Sequence, residues 1–235
     1  MLSVLLLLGL VYGCDDIPNP FVNDYERAKQ LYEAGDWQAA FKLYSKAAEQ
    51  GHANAQVVLG SMYADGEGVA EDYKQAVYWY SKAAEQGYAT AQYNLGYMYA
   101  NGMGVAEDYK QAVYWYSKAA EQGKASAQHN LALMYANGLG VAEDDKQAVY
   151  WRTKAAEQGD VYAQNSLGIM YDIGKGVAED DVKAHMWYNI AAANGDENAR
   201  KLKDILVETM SPSQIAKAQE MARECVAKNY KGCWA

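Results

Sequence analysis

Five glycines recur at a fixed interval: Gly51, Gly87, Gly123, Gly159 and Gly195 stand 36 residues apart. A period of that length marks a chain built from stacked supersecondary units rather than one closed core. Four full units lie between these glycines, at residues 52–87, 88–123, 124–159 and 160–195. The string VAEDYKQAVYWYSKAAEQG begins at Val69 and again, letter for letter, at Val105. Three prolines in 235 residues leave most of the chain free to be helical.

Each unit reads as two helices. In the second unit, Ala91, Leu95, Met98 and Tyr99 fall at i, i+4, i+7 and i+8, one apolar stripe of a 3.6-residue period. Asn101-Gly102-Met103-Gly104 breaks the pattern, because the glycines adopt backbone angles that a side chain opposes. Asp108 is placed to cap the next helix, with Gln111 three residues on to complete a capping box. The second helix is expected to bury Ala112, Trp115, Tyr116, Ala119 and Ala120, and Gly123 to stop it. Neither stripe can be hidden within one unit, so units must stack.

Both ends depart from the period, as terminal units of a stack must. Residues 25–51 form a partial unit, with Tyr25–Ala34 and Trp37–Gln50 helical in pattern. Residues 196–235 read as capping helices: Asn198–Met210 begins like a first helix, and Ser211-Pro212-Ser213-Gln214 starts a last one that runs to about Lys228. Residues 1–13 are read as a signal segment, since the apolar run from Leu2 to Tyr12 is far shorter than the roughly 20 residues of a membrane-spanning helix. Residues 14–24, with Pro18 and Pro20, read as an extended tether. Val11-Tyr12-Gly13-Cys14 resembles a bacterial lipobox, which implies lipidation of Cys14 after cleavage, although no Lys or Arg stands near Met1 and Tyr12 is bulky for its place.

The recurring pattern A-x-A-Q-x-x-L-G-x-M-Y-x-x-G-x-G-V, followed by a helix with W and K-A-A-E-x-G, resembles the Sel-1-like repeat family. The four full units carry it from Ala53 to Gly195. Leu131-Ala132 departs from the Leu-Gly pair, which is expected to loosen close packing there. The resemblance implies an all-α fold, a right-handed α-solenoid of stacked antiparallel helix pairs, used to assemble complexes or to bind envelope partners. It carries no catalytic residues to transfer.

The chemistry-bearing residues are scattered. His52, His129 and His185 lack metal-site spacing and read as separate surface or half-buried imidazoles. The paired acids Glu71-Asp72, Glu107-Asp108, Glu143-Asp144 and Glu179-Asp180 each precede a helix, where capping and dipole compensation explain them. No metal or cofactor is expected. A net charge of −9 disfavours nucleic acid as a partner and leaves the membrane only the possible anchor at Cys14. Cys225 and Cys233 read as a disulfide in an oxidising compartment and as free thiols in the cytosol. Cysteine-rich relatives within the family join helices through the same spacing. Some of those relatives are suggested to act on peptidoglycan or β-lactams, which makes an enzyme the rival reading; a passive spacer is a third.

Comparing the units separates fixed from free positions. The free ones form a second stripe on the first helices: Thr90, Asn94, Tyr97 and Asn101, then Ser126, Asn130, Leu133 and Asn137, with Asn54, Val58, Ser61 and Asp65 before them. In the family these helices line the concave side. Asn94, Tyr97, Asn101, Asn130, Leu133 and Asn137 are therefore the candidate groove for a protein or peptide. Amides and aromatics suit peptide backbone and apolar side chains. No Lys or Arg lies on these stripes, so recognition is expected to be neutral and weakly salt-dependent. Taken together, the expectation is an exported, non-catalytic binding scaffold. The intact mass of protein isolated from its host is predicted to lack the first thirteen residues, with added lipid mass if Cys14 is acylated; a full-length, unmodified cytosolic product would contradict both.

Overall fold

The computed structural model describes residues 20–233. Among them are twelve helices and no strand. A first pair, α1 (Pro20–Glu33) and α2 (Trp37–Glu49), precedes four pairs of near-constant length. These are α3 (Ala53–Asp65) with α4 (Tyr73–Glu85), α5 (Ala89–Asn101) with α6 (Tyr109–Glu121), α7 (Ala125–Asn137) with α8 (Asp145–Ala156), and α9 (Val161–Asp172) with α10 (Asp181–Ala193). Two further helices close the chain, α11 (Glu197–Val207) and α12 (Pro212–Ala227). From α1 to α11 each helix packs on its neighbours in sequence, and α12 packs on α10, so the core runs along the stack. This is the expected all-α repeat solenoid. One boundary differs: α1 begins at Pro20, inside the stretch read as a tether, because proline is pre-set for a first helical turn and nothing after it breaks the helix. The signal segment, Cys14 and the tether up to residue 19 lie outside the described residues.

The recurring acids do cap helices. Asp72, Asp108 and Asp144 each accept two backbone N–H groups of the first turn, at 2.9–3.1 Å. The carboxylate serves both donors by itself, and the reciprocal arm expected of Gln111 is not made. The complete capping box occurs at Ser211 and Gln214. The second glycine of each loop sets the spacing of units. A Cβ on Gly104 would lie 2.3 Å from the carbonyl oxygen of Tyr73, so the loop of one unit sits directly on the start of the previous unit's second helix. Gly68, Gly140 and Gly176 meet Trp37, Tyr109 and Asp145 in the same way.

Inside three of the four full pairs the helices touch through a glycine and a tyrosine. A Cβ on Gly96 would lie 2.8 Å from the ring of Tyr116, and Gly60 with Tyr80 and Gly168 with Tyr188 repeat the contact. The third unit has Ala132 and Arg152 in these places. The alanine therefore does not loosen a shared contact: with no ring at 152, the methyl is accommodated and Ala132 is fully buried. Trp115, expected in the core, is only half-buried; it packs on the cluster that joins α4 to α5, while Tyr116 is buried in the cluster that joins α6 to α7.

The C-terminal end is closed by α12. On the free second helices Tyr78, Tyr114 and Tyr150 are half exposed, with Lys82, Lys118 and Lys154 over their rings. In α10 the equivalent residues are Met186 and Ile190, both buried in a cluster that includes Ala222 and Cys225 of α12. Cys225 is bonded to Cys233, which ties the end of α12 to the turn after it. His185 is fully buried in α10, against the expectation of a surface or half-buried ring, because α11 and α12 both cover this helix.

The most regular feature of the stack is a row of buried amides. Gln56, Gln92, Gln128 and Gln164 are buried in the first helices. Each donates to a carbonyl at the end of the preceding second helix: Ala48, Ala84, Ala120 and Ala156, at 3.0–3.3 Å. Each also accepts from an amide at the end of the following second helix, Gln86, Gln122, Gln158 or Asn194, at 2.7–3.0 Å. One side chain thus latches three helices. Gln128→Leu leaves the Ala120 carbonyl and the Gln158 amide without this partner, and is predicted to destabilise by about 1–3 kcal/mol in denaturant unfolding. The exposed Gln147→Leu is predicted to stay within about 0.5 kcal/mol; equal effects would contradict the latch.

A candidate groove on the first helices

Two cavities open on the face that carries the free positions. The first, about 370 Å³, lies between α3, α4 and α5, where Asp65, Tyr73, Tyr80, Asn94, Tyr97 and Met103 surround it. The second, about 270 Å³, lies between α7, α8 and α9 and is bounded by Leu133, Asn137, Arg152, Ser166, Ile173 and Lys175. They are the same place in the repeat, two units apart: Asp65 answers to Asn137, Tyr80 to Arg152, Asn94 to Ser166 and Met103 to Lys175. The shared backbone gives them their shape, and the exchanges give them different chemistry.

The expected groove residues divide accordingly. Asn94 and Tyr97 line the first cavity, and Leu133 and Asn137 the second. Tyr97 is 44% exposed, so its ring is free to be covered by a partner. Asn101 and Asn137 donate to the carbonyls of Tyr97 and Leu133 one turn back, each at 2.8 Å, which commits one amide hydrogen to their own helix. Asn130 is half-buried and lines neither of these two cavities. Burial pushes the hydroxyls of Tyr93 and Tyr116 above the usual phenol range, and the nearby Asn130 amide draws each back in part.

The floor itself is a row of second-helix residues. Tyr80 shares a 3.0 Å hydrogen bond with Ser61, and Tyr188 donates to Asp172 at 3.0 Å. In the third unit that place is taken by Arg152. The second cavity is thus bordered by two cations that the first-helix stripes do not carry, one from α8 and one from the loop after α9. In the first cavity the charge has the other sign. Burial raises the Asp65 carboxyl above its usual range, and Glu67 and Glu71 raise it further.

The Sel1 repeat model matches residues 37–52, 53–88, 89–124, 125–160 and 161–196. The chain belongs to the Sel1 repeat family. Among solved structures it is similar to c5321, a protective antigen of uropathogenic Escherichia coli with the same repeat fold, at 36% identity and a TM-score of 0.79; the match covers 90% of this chain and 50% of that one. It is also similar to a Sel1 repeat protein of Oxalobacter formigenes, at 36% identity and a TM-score of 0.72, over 91% of both chains. The chain thus spans half the length of the E. coli protein. No curated protein matches it. Within the Sel1 frame, α2 is a recognisable second helix, while α1 falls outside the matched residues.

The histidines stay apart in the fold. His52 caps α3 by accepting from Ala55 N–H and stacks on Tyr25. His129 lies 3.7 Å from Asp160, and His185 sits inside the C-terminal end. No group of three His, Cys, Asp or Glu suited to a metal ion occurs among the described residues. Burial lowers the pKa of His129 despite the opposing pull of Asp160, and lowers that of His185 with help from Lys203. Both rings are thus held neutral in the fold and take up protons more readily when unfolded. Their contribution is complete above the unfolded value of 6.5 and is lost as pH falls through the lower folded values. The melting temperature is predicted to decline as pH falls from 6.5 toward about 5, before most carboxylates titrate. His185→Val, which installs the residue found at Val77, Val113 and Val149, should flatten that slope; an unchanged slope would remove His185 from the account.

Proposed function

We propose that this chain is a non-catalytic scaffold of the bacterial cell envelope that binds a protein or peptide along the face of its first helices. The observation that carries the reading is the first cavity. It joins a half-exposed Tyr97 ring to Asn94 above the buried Tyr80, an apolar surface edged with a hydrogen-bonding amide. Such a surface takes peptide side chains on the ring and backbone on the amides. Among the described residues the histidines stand apart and the repeated acids cap helices, so neither group supports the enzyme reading. Export is supported by the apolar N-terminal run and by the Cys225–Cys233 bond, which persists in oxidising compartments. The E. coli relative's description as a protective antigen fits a chain that reaches the cell surface. Lipidation of Cys14 would hold the scaffold at the membrane; no helix among the described residues is long and apolar enough to cross it.

A photo-crosslinking side chain placed at Tyr97 should capture a defined partner from the envelope fraction, and one placed at Tyr114 on the second helices should not. Tyr97→Ala combined with Leu133→Ala is predicted to weaken capture tenfold or more, about 1.4 kcal/mol. Melting temperature should change little, since both residues are exposed. Crosslinking from position 114 alone would move the binding face to the second helices.

A further inference from the structure

The second cavity contains the one place where a full unit breaks the glycine–tyrosine contact, and the break is coupled. Gly60–Tyr80, Gly96–Tyr116 and Gly168–Tyr188 become Ala132–Arg152. The change removes a packed ring and brings in a guanidinium that is mostly covered. Its Nε is buried without a hydrogen-bond partner. Among the described residues, Arg152 makes no ion pair within 4.0 Å. Covering a cation without a partner carries a desolvation cost that a structural role does not offset.

The nearby charges compensate it only in part. Asp145 lies near enough to favour the charged guanidinium without pairing with it; its Oδ1 is buried with no hydrogen-bond partner, and the Lys175 ammonium lies 3.2 Å from it and 3.8 Å from Glu143. His129, on the other side, is held neutral by burial and is itself disfavoured as a cation by Arg152. The cavity thus has one uncommitted cation at its floor. Around it stand the amide of Asn137, the hydroxyl of Ser166, and apolar walls from Leu133, Ile169 and Ile173.

We infer that the cavity between α7, α8 and α9 is a carboxylate-binding subsite in which Arg152 pairs with an acidic group of the bound peptide and the apolar walls hold the neighbouring side chain. A planar guanidinium with free donors matches a carboxylate in two parallel hydrogen bonds. The inference rests on the peptide-binding reading for its ligand, and it supplies what that reading lacks, a fixed point for register and direction. The carboxylate belongs to a chain terminus or to an Asp or Glu side chain, which share this chemistry.

Four probes test it on the whole protein, followed by the Arg152 Nε–H resonance, assigned with Arg152→Gln. They are acetate, N-acetyl-Leu-Ile as the free acid, the same peptide as its C-terminal amide, and N-acetyl-Leu-Glu-Ile amide. Ala132→Gly with Arg152→Tyr serves as the cation-free variant, because it restores the pair that the other three units already use. Acetate and the free acid are expected to shift the Arg152 signal. The free acid should bind at least tenfold more tightly than the amide, and the variant should lose that preference. Tight binding of the glutamate-bearing amide assigns the carboxylate to a side chain, and weak binding assigns it to the terminus. If acetate and the free acid leave the Arg152 signal unmoved, if acid and amide bind alike, or if the preference survives in the variant, the subsite is overturned. The groove reading then still stands wherever the amide perturbs first-helix resonances. A shifted Arg152 signal with no peptide response elsewhere on the first helices supports the subsite and counts against the groove.

Discussion

A buried primary amide must have its donors and acceptor satisfied, and in this chain the satisfaction always comes from the next helices along the stack. Gln92 is hidden in α5, yet its donor partner is the Ala84 carbonyl of α4 and its acceptor partner is Gln122 at the end of α6. An unpaired buried amide is costly, so a unit separated from its neighbours would expose that cost along with its apolar stripes. The row of glutamines therefore does what an apolar stripe alone cannot, because apolar contact tolerates sliding and a hydrogen-bonded latch fixes register. At the C-terminal end the row is completed by Asn194, which also meets the Tyr230 hydroxyl at 3.2 Å. The end of the stack is thus joined to the same network that holds its middle.

Close backbone approach is the second constraint, and it decides where the repeat can vary. Where a tyrosine ring lies over a glycine, neither can change alone: adding a methyl at Gly96 meets the Tyr116 ring, and shortening the tyrosine leaves a hole. The third unit escapes only by changing both positions, and the escape replaces a packed phenol with a guanidinium. Variation at the first-helix surface and at this coupled pair leaves the helix pairs in place, and both border the same cavities.

The period, the helix pairs, the loop glycines and the capping acids were all legible in the sequence, because each is a local rule repeated in phase. What was not legible depends on which element a side chain reaches. Gln92 stood in the family pattern but a polar residue carries no weight in a search for apolar stripes, so the latch went unread. Arg152 carries no such signal for a related reason: the free positions of the first helices do not mark the second-helix residues that border the cavities. A usable signal did exist for the cap. Replacement of the half-exposed tyrosine and lysine by Met186 and Ile190 in one unit marks the helix that another helix covers. The start of α1 had no such signal, since a proline reads equally as a tether residue and as a first helical residue.

Repetition bears directly on the proposed groove. The two cavities lie between equivalent helices and differ chiefly in their side chains: an acid and phenols at Asp65, Tyr73 and Tyr80, a guanidinium and an ammonium at Arg152 and Lys175. A ligand that touches both meets opposite charge two units apart, and an extended peptide with its own charge asymmetry would lie in one direction only. Uniform repeats would permit binding in several registers, since each unit offers the next an identical surface. A single departure at a place the fold otherwise protects is enough to remove that degeneracy. The energetic reason is asymmetric: the matched register satisfies the arginine, while every shifted register leaves it covered and unpaired. Such a device adds specificity without altering the latch or the glycine loops on which the stack depends.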